Sequence, residues 1–155
     1  MDTLSDVKQQ FNYSHQQFSV PLSATRRGAR LARLLAVEQL REWRLPLDPA
    51  RLVVAELAAN AALHGQVSGR DFRLVLFVTA SGALRIEVTD TRGDRLPTRV
   101  RQGDGAELAE CGHGLLLVEE LADRWGVMWG PVPCKTVWAE IDPDLGLDLG
   151  SGPCR

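Results

Sequence analysis

Cysteine is scarce in this 155-residue chain. Cys111, Cys134 and Cys154 are odd in number and far apart. That excludes a disulfide framework and a zinc-ligand spacing, and it fits a reducing cytoplasm. Excess charge is also missing. Eighteen Lys and Arg against 20 Asp and Glu leave −2, so no basic field points to direct contact with nucleic acid. The basic residues are mostly arginine. No apolar run reaches membrane-spanning length and the first residues hold no apolar signal segment, so no membrane contact is expected. No repeat at a solenoid period is found. What is present is a 45% hydrophobic content, enough for one globular domain with a real core.

The organising stretch is Leu52–Gly65, LVVAELAANAALHG. It reads as a helix. Asp48 is placed to cap it, Pro49 suits its first turn, and Gly65 can end it. Val53, Val54, Leu57, Ala58, Ala61 and Ala62 spread round the circumference, so more than one face is expected to be buried. Glu56 and Asn60 are the exceptions. Four residues apart, they lie one above the other on one face. A helix edge touching water accounts for them more simply on this stretch alone, because E-x-x-x-N is a common spacing. The alternative is a ligand. Asn60 offers a hard oxygen to Mg²⁺, and Glu56 can take a proton or orient a nucleophile.

Before this helix, residues 1–17 read as a mobile polar arm. Phe18, Val20 and Leu22 alternate as a short edge strand that tolerates Pro21. Ser23 is expected to cap a helix over Ala24–Trp43, with a solvated arginine face. That helix and its neighbours are candidates for a dimer or partner surface. After the Glu56 helix, Phe72, Leu74, Leu76 and Val78 alternate as a strand. Leu84, Ile86 and Val88 form its hairpin partner. Period-two parity carries Asp90 onto the same face. An inward acid there could accept from backbone or from an exocyclic amine such as that of adenine; a solvated turn-starting Asp explains it equally well.

Thr91–Cys111 shows no periodicity and is long for a connection without structure; such loops are often lids. It ends in Gly112-His113-Gly114, before an expected helix over Leu115–Trp125. Glycines at a helix N-terminus expose amides suited to phosphate, though G-x-G alone is a weak signal. His113 has no nucleophile beside it in sequence and reads as a lid or surface residue. Gly126–Trp129 and Lys135–Ile141 read as further strands, and residues 142–155 as a flexible tail.

Each signal is weak; their order is not. ELAANAALHG at Glu56–Gly65, LRIEVTDTRGDRLP at Leu84–Pro97, GHGLLLVEELADRWGV at Gly112–Val127 and KTVWAEI at Lys135–Ile141 follow one another in register. Together they resemble the GHKL (Bergerat-fold) ATPase superfamily. The resemblance is strongest to the small anti-sigma-factor serine/threonine kinase-like regulators of actinobacteria, and it covers residues 18–141.

The resemblance implies an α/β, two-layer α+β sandwich: a mixed, mostly antiparallel sheet covered on one face by about three helices. It implies ATP and Mg²⁺ as cofactors. Asn60 would hold Mg²⁺, Glu56 would be the catalytic base or positioner, and Asp90 would accept from adenine. Gly112, His113, Gly114 and Leu115 would face the phosphates, and Thr136 would support the purine pocket. In the family a glycine usually stands two residues after the aspartate. Here Arg92 stands there and Gly93 follows one later, so Gly93 takes that role. Cys134 stands where a glycine commonly precedes K-T. The implied function is a cytoplasmic protein kinase that binds a sigma factor and phosphorylates an anti-anti-sigma (STAS) partner on serine. The alternative is a nucleotide-gated binding module with negligible transfer. A histidine-kinase catalytic domain is disfavoured, since no helical hairpin carrying a substrate His precedes Phe18.

Overall fold

A computed structural model of the chain describes residues 16–64, 70–90, 108–131 and 134–143. Its elements are β1 (Gln17–Ser23), α1 (Arg26–Glu42), α2 (Ala50–His64), β2 (Asp71–Val78), β3 (Leu84–Asp90), α3 (Leu108–Leu121), β4 (Arg124–Trp129) and β5 (Lys135–Ile141). The strands form one sheet in the order β1-β2-β3-β5-β4. Each of its pairings is antiparallel, which corrects the expectation of a mixed sheet. β3 and β4 run the same way, but β5 folds back between them, so no parallel pair forms among the described residues. The expected arm before residue 16, Gly65, most of the expected lid and the tail from residue 144 lie outside the described residues.

Alternation builds the interior. Phe72, Leu74 and Leu76 of β2 and Ile86 and Val88 of β3 are buried in one cluster with residues of all three helices. Burying a side chain of this size stabilises by about 1.5–3 kcal/mol. The centre of the helical layer is α2, which packs on α1, on α3 and on β3. Its Val53, Val54, Leu57, Ala58, Ala61 and Ala62 are all buried, as the spread of apolar positions requires. Asp48 does not serve as the plain cap expected of it. Arg51 donates to both its carboxylate oxygens, at 3.0 and 3.2 Å.

The junction of β1 and α1 lies two residues later than expected. Ser23 is the last residue of β1, paired with Asp71. The cap is Thr25, whose hydroxyl accepts from the Gly28 amide at 3.0 Å. Such a cap contributes about 1 kcal/mol. Gly28 is required here. A Cβ added to it would fall 1.8 Å from the Ser23 carbonyl oxygen.

The start of α3 is the larger correction. The helix begins at Leu108, so Gly112, His113 and Gly114 lie inside it rather than ahead of it. The surrounding Leu, Ala and Glu are strong helix formers, and two glycines at about 1 kcal/mol each do not outweigh them. α3 also stops sooner, at Leu121. Trp125, expected to end the helix, stands in β4 opposite Ala139.

The sheet face away from the helices carries charge. Arg85 donates to Glu87 at 2.7 Å and to Glu140 at 2.8 Å, and its guanidinium lies 4.2 Å from the Trp138 ring centre. Arg124 donates to Glu140 at 2.9 Å and binds Asp142. The Asp142 amide donates to Asp123 at 2.7 Å. The expected flexible tail is therefore anchored at its first residue.

Candidate functional site

Between the helical layer and the sheet lies a small cleft with a cavity of about 20 Å³. Leu57, Ala61, Val88, Val137 and Leu115 line it with apolar surface, and Asn60, Asp90 and Lys135 supply its polar groups. Four elements meet here. Asn60 comes from the third turn of α2, one helical step from the buried Leu57 and Ala61. Asp90 ends β3, and alternation from Leu84 through Ile86 and Val88 aims it at the helices. Lys135 opens β5 directly opposite Asp90 in the ladder. Leu115 comes from α3.

Asp90 is only 3% exposed and Lys135 4%. Burial pulls the Lys135 ammonium below its usual pKa, and the Asp90 carboxylate opposes that shift. Two opposite charges removed from water to this degree are tolerable as neighbours and very costly apart.

The structure thus brings together Asn60, Asp90 and Leu115 of the residues singled out in the sequence. Glu56 sits one turn before Asn60 on the same helix, partly exposed, and does not line the cleft. Thr136 shares a hydrogen bond of 2.8 Å with Thr89. Both belong to the parity opposite to Asp90 and Lys135, so Thr136 stands on the other face of the sheet. Gly93 and Arg92 lie outside the described residues. Sequence reasoning missed Lys135. The signal was available: the parity that turned Asp90 inward also turns its cross-strand neighbour inward, once β3 and β5 are known to pair.

Apolar walls with hydrogen-bonding groups beside them are the kind of lining that suits a heteroaromatic base. The chemistry of the residues present therefore fits the purine end of a nucleotide, although the cavity in this structure is far smaller than a bound base.

Residues 22–139 match the family model described as the histidine kinase-like ATPase domain. The chain belongs to that family, and ATP is the ligand the family assignment brings. Among curated proteins none matches. Of solved structures, the chain is similar to the RsbU and RsbW domains of Rv1364c from Mycobacterium tuberculosis, at a TM-score of 0.61 and 19% identity. The match covers 82% of this chain and 32% of that one, so this chain spans about a third of its solved relative. That likeness is one of fold. Among the described residues no helix is long and apolar enough to cross a membrane.

Proposed function

We propose that the chain is an ATP-dependent regulator of anti-sigma type, a serine/threonine protein kinase that binds a sigma factor and phosphorylates a STAS-domain antagonist on serine. The observation that carries the nucleotide part is the convergence of Asn60, Asp90 and Leu115, from three separate elements, on one cleft. The family assignment supports it, and so does the fold shared with a solved RsbW-containing protein.

In this reading Asp90 accepts a hydrogen bond from the exocyclic amine of adenine, and Val88, Val137 and Ala61 lie against the base. Mg²⁺, when bound, would neutralise charge on the phosphate oxygens, and Asn60 supplies a hard side-chain oxygen for it. Mg²⁺ in phosphate sites commonly takes only one or two protein ligands. Glu56, four residues before Asn60, would accept the proton as the serine oxygen attacks the terminal phosphorus and the diphosphate leaves. Transfer of this kind needs chiefly positioning and charge neutralisation. Gly93, Gly112, His113, Gly114 and Leu115 would border the phosphates.

A second reading is a nucleotide-gated binding module with negligible transfer. It is favoured by the position of Glu56, which does not line the cleft with Asn60. Labelled ATP and a STAS-domain protein, incubated with the chain, separate the two. Labelled serine in the partner supports the kinase, with Glu56→Ala keeping ATP binding and losing transfer. ATP binding without labelled serine leaves the module. Absence of ATP binding removes both.

A further inference from the structure

The helical layer carries a second hollow, on its outer side. α1 and α2 pack against each other. Between them Arg33, Leu34 and Val37 of α1 meet Arg51, Leu52 and Ala55 of α2 around an open groove of about 430 Å³. On α2 these positions stand on the side opposite Leu57, Asn60 and Ala61, which line the cleft. The groove is therefore independent of the nucleotide reading.

Its lining is apolar and open to water. Leu34 is 48% exposed and Leu52 42%. Apolar surface gathered in one hollow marks an interaction site, where scattered leucines do not. Its rim is positive. Arg26, Arg30 and Arg33 follow at i, i+4 and i+7 as one exposed row along α1, with Val37 next in the row. No acid stands in the first turn of α1. Among the described residues, neither these arginines nor Arg27 has a carboxylate within ion-pair distance. Arg26 and Arg27 also oppose the macrodipole at the helix N-terminus, so helix stability does not explain them. Across the groove, Arg51 is held by Asp48 in a pair that is 47% and 62% exposed. An exposed pair of this kind is worth little and is readily exchanged for another carboxylate.

Three kinds of occupant bring negative charge. Nucleic acid offers phosphates but no apolar ridge for Leu34, Val37 and Leu52. An anionic membrane is met by an apolar face that inserts into it, and this one is hollow. An amphipathic helix with apolar residues at i, i+3 and i+7 lays its ridge into a groove and holds its acids at the rim. We propose that the α1–α2 groove docks an acidic amphipathic helix of a partner protein. The ridge of that helix lies on Leu34, Val37, Leu52 and Ala55. Carboxylates beside the ridge pair with Arg30 and Arg33 on one wall and with Arg51 on the other.

Fluorescence anisotropy of the full chain with a labelled peptide tests this. The peptide carries leucine at i, i+3, i+7 and i+10 among glutamate and alanine, and about 15 residues suffice to hold a helix. Wild type is expected to bind it, more weakly as salt rises. Arg33→Glu is expected to weaken binding by more than about tenfold. Arg73→Glu, an equal charge change on the far face of the sheet, should weaken it by less than about twofold. Leu52→Ser should weaken it by about fivefold or more. All three positions are exposed, so melts and ATP affinity are expected to stay at wild-type values. Failure here is thereby told apart from failure of the nucleotide reading. No binding by wild type overturns the inference. So does equal binding of a peptide with lysine in place of glutamate, or equal loss in Arg33→Glu and Arg73→Glu. Tighter binding of a DNA duplex or of phosphatidylserine vesicles, lost in Arg33→Glu, assigns the groove to those partners and overturns it too. The same holds if sedimentation shows wild type self-associating and Leu34→Asp returning it to monomer, since the occupant is then a second copy.

Discussion

Thr89 and Thr136 hydrogen-bond to each other at 2.8 Å on the sheet face turned away from the cleft. Their parity separates them from Asp90 and Lys135 although all four stand side by side. Thr136→Val therefore removes one hydrogen bond, destabilising the fold by about 1 kcal/mol, and leaves nucleotide affinity unchanged. Chemical denaturation beside ATP titration reads both. A large loss of ATP affinity with intact stability would contradict the placement of Thr136.

Asn60 is the polar side chain that α2 contributes to the cleft. Asn60→Ala is expected to abolish Mg·ATP binding while the fold persists, since the side chain is only partly buried. Titration in Mg²⁺ and a thermal melt check the two halves. Affinity equal to wild type would show that the metal-bound phosphates lie elsewhere.

The β1–α1 junction is a point of mechanical intolerance. Gly28→Ala drives a methyl group against the Ser23 carbonyl, and backbone must move to relieve it. A destabilisation of roughly 1–3 kcal/mol or more is expected. Thr25→Ala, which loses the cap to the Gly28 amide, should cost about 1 kcal/mol. Urea midpoints rank them, and the glycine variant should be the worse.

Glu140 sits between Arg85 and Arg124, whose hydrogen bonds hold its carboxyl below the usual carboxylate range. A depressed carboxylate stabilises the fold above its unfolded pKa, about 4.3, and loses that contribution as pH falls through its folded value. Glu140→Gln should thus be less stable than wild type at pH 7, with the gap closing below about pH 4.3. Denaturation midpoints from pH 7 to pH 3 follow it. A gap that stays constant would show that the arginines do not set the acid's charge.

Much of this architecture was legible in the sequence. Strict alternation through Phe72–Val78 and Leu84–Asp90 marked both strands of a hairpin and put Asp90 on the face of Leu84, Ile86 and Val88; pattern alone left a solvated acid equally open, and the packing of that face on the helices is what buries it. The apolar spread of Leu52–Ala62 gave the central helix. Boundaries failed where two local preferences competed. Ser23 and Thr25 are both good caps, and only the sheet partner Asp71 decides that Ser23 stays extended. Gly112 and Gly114 looked like a helix start, but good helix formers on both sides carry α3 through them. Lys135 was overlooked for a different reason. Its burial comes from a neighbour 45 positions away, and no local pattern reports that.

β3 is the middle strand, held by β2 on one side and β5 on the other. The acid at its end is thereby fixed from both flanks, and neither sheet rim touches it. Extensions, truncations or new bulges at β1 or β4 can change what the molecule shows to its surroundings while the position of Asp90 is preserved. A sheet built this way can vary its outer margins and still hold its central acid in place.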